Sequence, residues 1–237
     1  MKHRFILRGI VVKRSLLVVL SFLCLVLFAC PGFADSFAWN ELGSAGNLPG
    51  AANITVGGGS LQQINGNLLD VTEVDMFQIT ITDFLNFSAT ALAGLDMVDD
   101  PQLFLFDSAG LAVYMNDDGP GLGSQSELPS GSAFGPTSAG LYYLAIGWFD
   151  NEPFSATGRM FDDGTGTNGP GIGGLSTILS WNNDAIGRDD LPTGYSIQLT
   201  GASYAVPEPA TLLLLTTGLA LLYWRSRARP AAARKLT

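Results

Sequence analysis

Three of the four pairs of adjacent aspartates in the chain are considered as groups that could do chemistry, and they lie in segments rich in glycine, proline and asparagine. They are Asp99 with Asp100, Asp117 with Asp118, and Asp162 with Asp163. Carboxylates on loops are the hard oxygen ligands that calcium requires, with about six to eight oxygens at 2.3–2.6 Å. The pairs lack the EF-hand spacing, and aspartate is also an ordinary turn residue. The pattern therefore leaves two interpretations open, a calcium site or solvated turns.

The first two pairs flank a segment that is expected to fold back on itself. Two apolar runs, "LFLF" and "LAVYM", are separated by Ser108–Gly110, which is typical of a β-hairpin turn. Such a hairpin would bring the loop before its first strand close to the loop after its second strand. The sequence thus predicts Asp99, Asp100, Asp117 and Asp118 as candidate calcium ligands.

Paired carboxylates also raise the question of a glycoside hydrolase, which needs two acids about 5–9.5 Å apart beside a bound sugar. Here the acids neighbour glycine and proline, and nothing in the sequence places one against an aromatic ring that would raise its pKa. Tyr142, Tyr143, Trp148 and Phe149 could stack on a sugar, although alternate members of such a strand normally form core. Hydrolysis is therefore not expected, and a calcium-assisted carbohydrate-binding surface stays an alternative.

Histidine and cysteine occur only near the amino terminus, as His3, Cys24 and Cys30. If this segment is removed, the mature chain has no imidazole and no thiol. That would exclude a Ser-His-Asp triad, a cysteine nucleophile, zinc sites with histidine or cysteine ligands, and disulfides. The chain is predicted not to be an enzyme.

Charge is distributed unevenly along the 237 residues. Between residues 35 and 205, Arg159 and Arg188 stand against twenty acidic residues, which gives this part a formal net charge of −18. Such a segment repels nucleic acid and anionic lipid, and it attracts divalent cations or cationic partners. No nucleic-acid partner is expected, and acidity for solubility alone is the simpler interpretation.

Residues 1–34 have the pattern of a secretory signal peptide. A basic start is followed by the apolar run "SLLVVLSFLCLVLFAC", and small residues precede a cleavage site between Ala34 and Asp35. An uncleaved signal anchor and a lipoprotein cleaved before Cys30 are the alternatives. Each of the three interpretations predicts export.

Residues 210–224 form a run of fifteen uncharged residues rich in leucine, which predicts a short transmembrane helix. Tyr223 and Trp224 suit the membrane interface, and the arginines behind them favour a cytoplasmic carboxyl terminus. A buried amphipathic helix is the alternative, but three threonines are the only polar residues before the terminal aromatic pair. The domain before it would then lie outside the cytoplasm.

Residues 35–205 are predicted to form one exported domain that is all-β, an antiparallel β-sandwich with jelly-roll-like character. Short apolar or alternating runs are separated by glycine-rich breaks, and no long segment has a helical period. Mixed parity in the run from residue 75 predicts a bulge or burial on both faces. The glycine-rich segment Phe161–Leu175 is expected to be a mobile loop. The predicted strands are 53–56, 75–82, 84–92, 102–107, 111–116, 140–149 and 194–201.

The carboxyl-terminal segment 206–237 joins a Val-Pro-Glu-Pro sequence, the leucine-rich run and an arginine cluster in that order. This arrangement resembles the PEP-CTERM sorting signal. The resemblance implies recognition by an exosortase, a membrane-embedded enzyme of Gram-negative bacteria that produce exopolysaccharide. Pro207, Glu208 and Pro209 would be the recognition element, and the membrane helix would be an intermediate anchor.

The order "DVTEVDMFQITI", "DPQLFLFDSAGLAVYMNDDG" and "SAGLYYLAIGWFD" is also similar to bacterial pre-peptidase C-terminal β-sandwich domains. This resemblance implies a non-catalytic accessory or surface module, in some cases with calcium. Together the two resemblances predict a surface or extracellular-matrix protein associated with exopolysaccharide and biofilm. A permanently anchored periplasmic protein is the alternative if the triplet has no role.

Overall fold

The computed structural model describes residues 37–92, 98–164, 166–182, 184, 193–207 and 223. The predicted signal peptide and nearly all of the predicted transmembrane helix lie outside these residues. Among the described residues, no helix has the length and apolar character needed to cross a membrane.

The described residues form seventeen strands. They are β1 (Ala38–Asn40), β2 (Asn53–Ile54), β3 (Val56–Gly57), β4 (Gln63–Leu68), β5 (Val74–Ile81), β6 (Ser88–Ala91), β7 (Pro101–Asp107), β8 (Ala112–Asn116), β9 (Glu127–Leu128), β10 (Gly140–Trp148), β11 (Pro153–Ser155), β12 (Gly158–Arg159), β13 (Thr167–Asn168), β14 (Ile178–Trp181), β15 (Thr193–Thr200), β16 (Ala202–Tyr204) and β17 (Val206–Pro207). The expectation of an all-β domain is confirmed.

Two larger sheets make up the sandwich. The first sheet has the strand order β1-β4-β15-β6-β9, and the second has the order β13-β8-β7-β10-β5-β16, with β2 beside β5. The pairs at the centre of the second sheet, β5 with β10 and β10 with β7, are antiparallel. Two small separate sheets, β12-β11-β14 and β17-β3, complete the described strands.

The first core cluster contains buried residues from both larger sheets. Ile64 and Ile197 come from the first sheet, whereas Ile79, Leu105 and Leu144 come from the second, and all five are fully buried. Burying such a side chain contributes about 1.5–3 kcal/mol. These contacts hold the two sheets face to face.

The second sheet is buried on its other face as well. Phe104, Phe106 and Ala145 point away from the first cluster, because neighbours along a strand face opposite sides, and they belong to a second buried cluster. Burial on both faces explains the near-continuous apolar runs of β7 and β10. It also explains the mixed parity of β5, whose pairing with β10 has no register shift. The irregularity is instead in the hairpin, between Leu105 and Phe106.

The glycine-rich segment 161–175, which is expected from the sequence to be a mobile loop, begins with a residue of this second cluster. Phe161 is 1% exposed, and its ring centroid lies 5.7 Å from that of Phe104. Gly171 donates its backbone N–H to the carbonyl of Met160 at 2.8 Å. A side chain at Gly174 would meet the Met160 carbonyl at 2.7 Å. The glycines therefore allow the backbone to pack closely.

Two predicted strands differ in extent from the observed ones. The run 84–92 is a strand only at Ser88–Ala91. Asp83 accepts hydrogen bonds from the backbone and side chain of Asn86, which forms a turn where the strand was expected to begin. The run 53–56 is split into β2 and β3 at Thr55.

Candidate functional site

The hairpin of β7 and β8 carries an acidic cluster at its open end. Its strands are antiparallel, and Leu103 lies opposite Asn116. At the closed end, Asp107 Oδ1 accepts hydrogen bonds from the backbone N–H groups of Ala109 and Leu111, at 2.8 and 2.9 Å. The loop before β7 and the loop after β8 therefore leave from the same end of the hairpin.

Three of the four predicted ligands come together there. Carboxylate oxygens of Asp100, Asp117 and Asp118 lie within 4.8 Å of one another. Asp99 does not belong to this group and is exposed. Its backbone carbonyl instead accepts hydrogen bonds from the side chains of Ser124 and Gln125. Asp99 thus helps to shape the loop through its main chain.

The loop that follows β8 is fixed by a buried serine. The Ser126 hydroxyl donates to the carbonyl of Asn116 at 2.6 Å and accepts from the N–H of Leu103 at 3.1 Å. The Asn116 side chain accepts from the N–H of Glu127 at 2.7 Å and donates to the carbonyl of Asp118 at 3.2 Å. Ser126 and Asn116 are both completely buried. These bonds hold the acidic residues in place without using their carboxylates.

Asp117 is the buried member of the cluster. It is 3% exposed, and its Oδ1 has no hydrogen-bond partner. Burial, reinforced by the negative charges of Asp118, Asp100 and Glu152, raises the pKa of Asp117 to about 7. The fold therefore places a carboxylate where desolvation and like charges both disfavour its ionised form.

Two further buried oxygens near the cluster have no hydrogen-bond partner. Gln125 donates its amide N–H groups to the carbonyls of Val98 and Asp99, while its Oε1 is left unpaired. Glu152 Oε1 accepts from Gln102 at 3.2 Å, while its Oε2 is unpaired. Sequence reasoning missed both residues, because neither belongs to an acidic pair.

The third aspartate pair has a different environment. Asp163 forms an ion pair with Arg159, and Arg159 also contacts Glu152 Oε1 at 2.9 Å. Asp162 and Asp163 are both exposed. Arg159 therefore compensates the charges of Asp163 and Glu152, and neither member of this aspartate pair belongs to the acidic cluster.

The aromatic residues considered for sugar stacking are mostly core. Tyr142, Tyr143 and Trp148 are 6%, 8% and 4% exposed, and only Phe149 of the four is exposed. The Tyr142 hydroxyl donates to the carbonyl of Ser138 at 2.8 Å, in the chain just before its own strand. These rings do not form an open stacking surface.

A second buried carboxyl group lies away from this site, on β5. Asp75 is completely buried, and Tyr195 donates its hydroxyl to Asp75 Oδ2 at 2.8 Å. Burial, with a contribution from the charge of Glu41, raises the pKa of Asp75 to about 8. Burial likewise raises the pKa of Tyr195. The alternating pattern of β5 gave no sign that an acid would occupy a core position.

The last described strand enters the predicted sorting segment. Val206 and Pro207 pair in parallel with Val56 and Gly57. Thr55 accepts through Oγ1 from the N–H of Ala205 at 2.9 Å and through its carbonyl from the N–H of Val206 at 3.1 Å. Glu208 and Pro209 lie outside the described residues, as do Ala34 and Asp35 at the predicted signal cleavage site.

Comparison with protein families identifies the carboxyl-terminal segment. Residues 205–228 match a family model described as the PEP-CTERM protein-sorting motif. This match confirms the predicted sorting signal, and such a motif implies exosortase-dependent sorting of an exported protein to the surface of a Gram-negative cell. The chain matches no curated protein. The similarity of the β domain to pre-peptidase C-terminal domains has no support from these comparisons.

Proposed function

We propose that the chain is a non-catalytic surface or extracellular-matrix protein, delivered by a signal peptide and processed by an exosortase. The observation that carries this proposal is the sorting motif at residues 205–228, whose first residues include the last strand of the β domain, β17. Pro207, Glu208 and Pro209 act as the recognition element, and residues 210–224 anchor the chain in the inner membrane until processing. The mature domain then functions outside the cell.

The composition of the exported part supports a role without catalysis. Residues 35–237 contain no histidine and no cysteine, so the usual nucleophile and base pairs are not available to the mature chain. Carboxylates remain as candidate catalytic groups, and among the described residues three of them, Asp100, Asp117 and Asp118, lie together in one cluster.

Association with exopolysaccharide is the proposed role of the mature protein. The acidity of the domain keeps it soluble at the cell surface. Because the domain and an anionic polymer are both negatively charged, they repel each other and do not bind through direct charge attraction. Divalent cations would bridge such a domain to acidic polysaccharide. Stacking of sugars on aromatic rings is weaker support for binding to exopolysaccharide, because three of the four candidate aromatic rings are buried.

The sorting step can be tested by mass spectrometry of the mature carboxyl terminus in a host that has an exosortase. The expected major species lacks Thr237 and the basic tail. Replacing Pro207, Glu208 and Pro209 together by alanine should leave membrane insertion intact and block processing. Pro230→Ala is the matched control, since it lies outside the matched motif and should be processed normally.

An intact terminus at Thr237 on the major wild-type species would overturn the sorting step. The protein would then be the alternative, a permanently anchored periplasmic protein. Equal processing of the triple variant and the wild type would show that the triplet is not the recognition element.

A further inference from the structure

We propose that Asp100, Asp117 and Asp118 bind a calcium ion at the open end of the β7–β8 hairpin. This inference goes beyond sorting, because it concerns the exported domain and holds whether or not the tail is processed. It stands on the geometry of the three carboxylates, on unpaired buried oxygens around them, and on the scaffold that holds them.

The spacing of the carboxylates fits a single ion. Two oxygens that each lie about 2.3–2.6 Å from calcium can be at most about 5 Å apart. The ligand atoms of Asp100, Asp117 and Asp118 lie within 4.8 Å of one another. One ion can therefore contact all three groups with little rearrangement.

The unpaired oxygen of Asp117 is the second, independent reason for a ligand. Burying a carboxylate oxygen without a hydrogen bond is costly, and buried polar groups in folded proteins nearly always have a partner. Asp117 is 3% exposed with Oδ1 unpaired, whereas the chain satisfies Asn116 and Ser126 beside it with several hydrogen bonds. A cation supplies the missing partner and compensates the charge.

Gln125 carries a further buried oxygen of a type that calcium binds. Its amide nitrogen donates to two carbonyls, which fixes the orientation of the amide and leaves Oε1 buried and unpaired. The backbone carbonyl of Gln125 accepts from the N–H of Gly119 at 2.8 Å. Gln125 therefore lies between the loop of Asp100 and the loop of Asp118. Amide oxygens are common calcium ligands beside carboxylates.

The chemistry of the group selects calcium rather than a softer metal. The ligands are all oxygens, and residues 35–237 offer no imidazole or thiolate to zinc or copper. Three carboxylates from two loops, with one of them reaching deep into the fold, suit the flexible coordination of calcium better than the strict octahedron of magnesium. The bound ion would join the loop before β7 to the loop after β8.

The test uses the full-length chain in detergent, freed of metal with a chelator and then titrated with calcium chloride. Calorimetry should show saturable heat, and the melting temperature should rise with calcium and much less with magnesium at the same concentration. In Asp117→Asn both responses should be lost. Without calcium, this variant should melt at or above the wild-type temperature, because the amide removes a buried charge from among like charges.

Asp162→Asn is the matched control, because it removes one exposed aspartate outside the cluster and should keep the wild-type calcium response. If Asp117→Asn does not fold, Asp100→Asn and Asp118→Asn at the solvent-reaching positions must show the loss instead. No calcium heat and no melting shift in the wild type would overturn the proposal. So would a wild-type response in the cluster variants that fold.

Discussion

Thr55 Oγ1 accepts a hydrogen bond from the backbone N–H of Ala205 at 2.9 Å, and Ala205 is the first residue of the matched sorting motif. Thr55 is completely buried and donates its own hydroxyl to the carbonyl of Gln78 at 2.8 Å on β5. Its carbonyl also accepts from the N–H of Val206. The sorting motif therefore begins inside the folded domain, without an intervening linker.

Replacing Thr55 by valine should loosen the start of the motif while keeping the shape of the side chain. The Ala205 N–H, which is only partly buried, loses its acceptor, so the loss should be at most the roughly 1–3 kcal/mol of a fully buried unsatisfied donor. Amide hydrogen exchange in the peptide containing Ala205 and Val206 should become faster. Thr55→Ser keeps the hydroxyl and should retain most of the protection. Equal exchange in the valine variant and the wild type would show that the hydroxyl does not hold this strand.

The long strands could be predicted because their apolar residues form continuous or alternating runs. β5, β7, β8, β10 and β15 are each within one or two residues of the predicted ranges. β4, "QINGNL", was missed because its pattern is mostly polar. Its position depends on partners far along the chain, such as Ser196, whose side chain forms hydrogen bonds with the side chains of Gln63 and Asn65. Local sequence carries no information on such pairing.

The sequence predicted only that part of the site whose position depends on the β7–β8 hairpin, namely the proximity of the two loops. A turn at Ser108–Gly110 was enough to place the loops of Asp100 and Asp117 together. The burial of Asp117 depends on the return of the chain at Gln125 and Ser126, which no local pattern indicates. For the same reason the sequence did not distinguish Asp99, which acts through its carbonyl, from Asp100, which belongs to the cluster.

Truncation of Phe161 tests whether the glycine-rich segment is part of the core. Its ring lies 5.6 Å, between centroids, from that of Phe106. Phe161→Ala should lower the free energy of unfolding by about 3–5 kcal/mol, because it leaves a cavity in the second cluster. Ile172→Ala in the same segment is the control. Ile172 is 82% exposed, so its change should stay within about 0.5 kcal/mol. Urea unfolding measures both, and equal effects would contradict the packing.

Substitution of Gly201 tests the close packing at the corner between β15 and β16, where the chain passes from the first sheet to the second. Its φ is +71°, and an added Cβ would lie 2.5 Å from the carbonyl oxygen of Asp83. Gly201→Ala should cost more than the about 1–2 kcal/mol expected for a left-handed residue alone. Gly121→Ala, with φ +79° and open space around it, measures that strain without the clash. Thermal unfolding compares them, and equal losses would show that the close approach has no energetic consequence.

Asp75 should make the stability of the domain depend on pH. Its pKa is about 8 in the folded protein and about 3.9 in an unfolded chain, so between these values the folded state keeps a proton that the unfolded state has lost. The contribution of Asp75 is fully present below about pH 4 and is lost as pH rises through 8. Glu41 and Glu73, which also raise this pKa, and the Tyr195 hydroxyl, which lowers it, are the titratable groups that face it.

Asp75→Asn should therefore gain stability relative to the wild type as pH rises from 5 to 8, by up to about 1.4 kcal/mol for each pH unit. Tyr195→Phe keeps the ring that packs on Phe77 but removes the donor to Asp75. Because the lost hydrogen bond had favoured the ionised carboxylate, the pKa of Asp75 should rise further in this variant. Its stability should therefore keep falling above about pH 8, where that of the wild type levels off. Urea unfolding at pH 5, 6.5, 8 and 9 measures all three proteins. Parallel pH profiles for the wild type and Asp75→Asn would mean that Asp75 has the same proton affinity in the folded and unfolded chains.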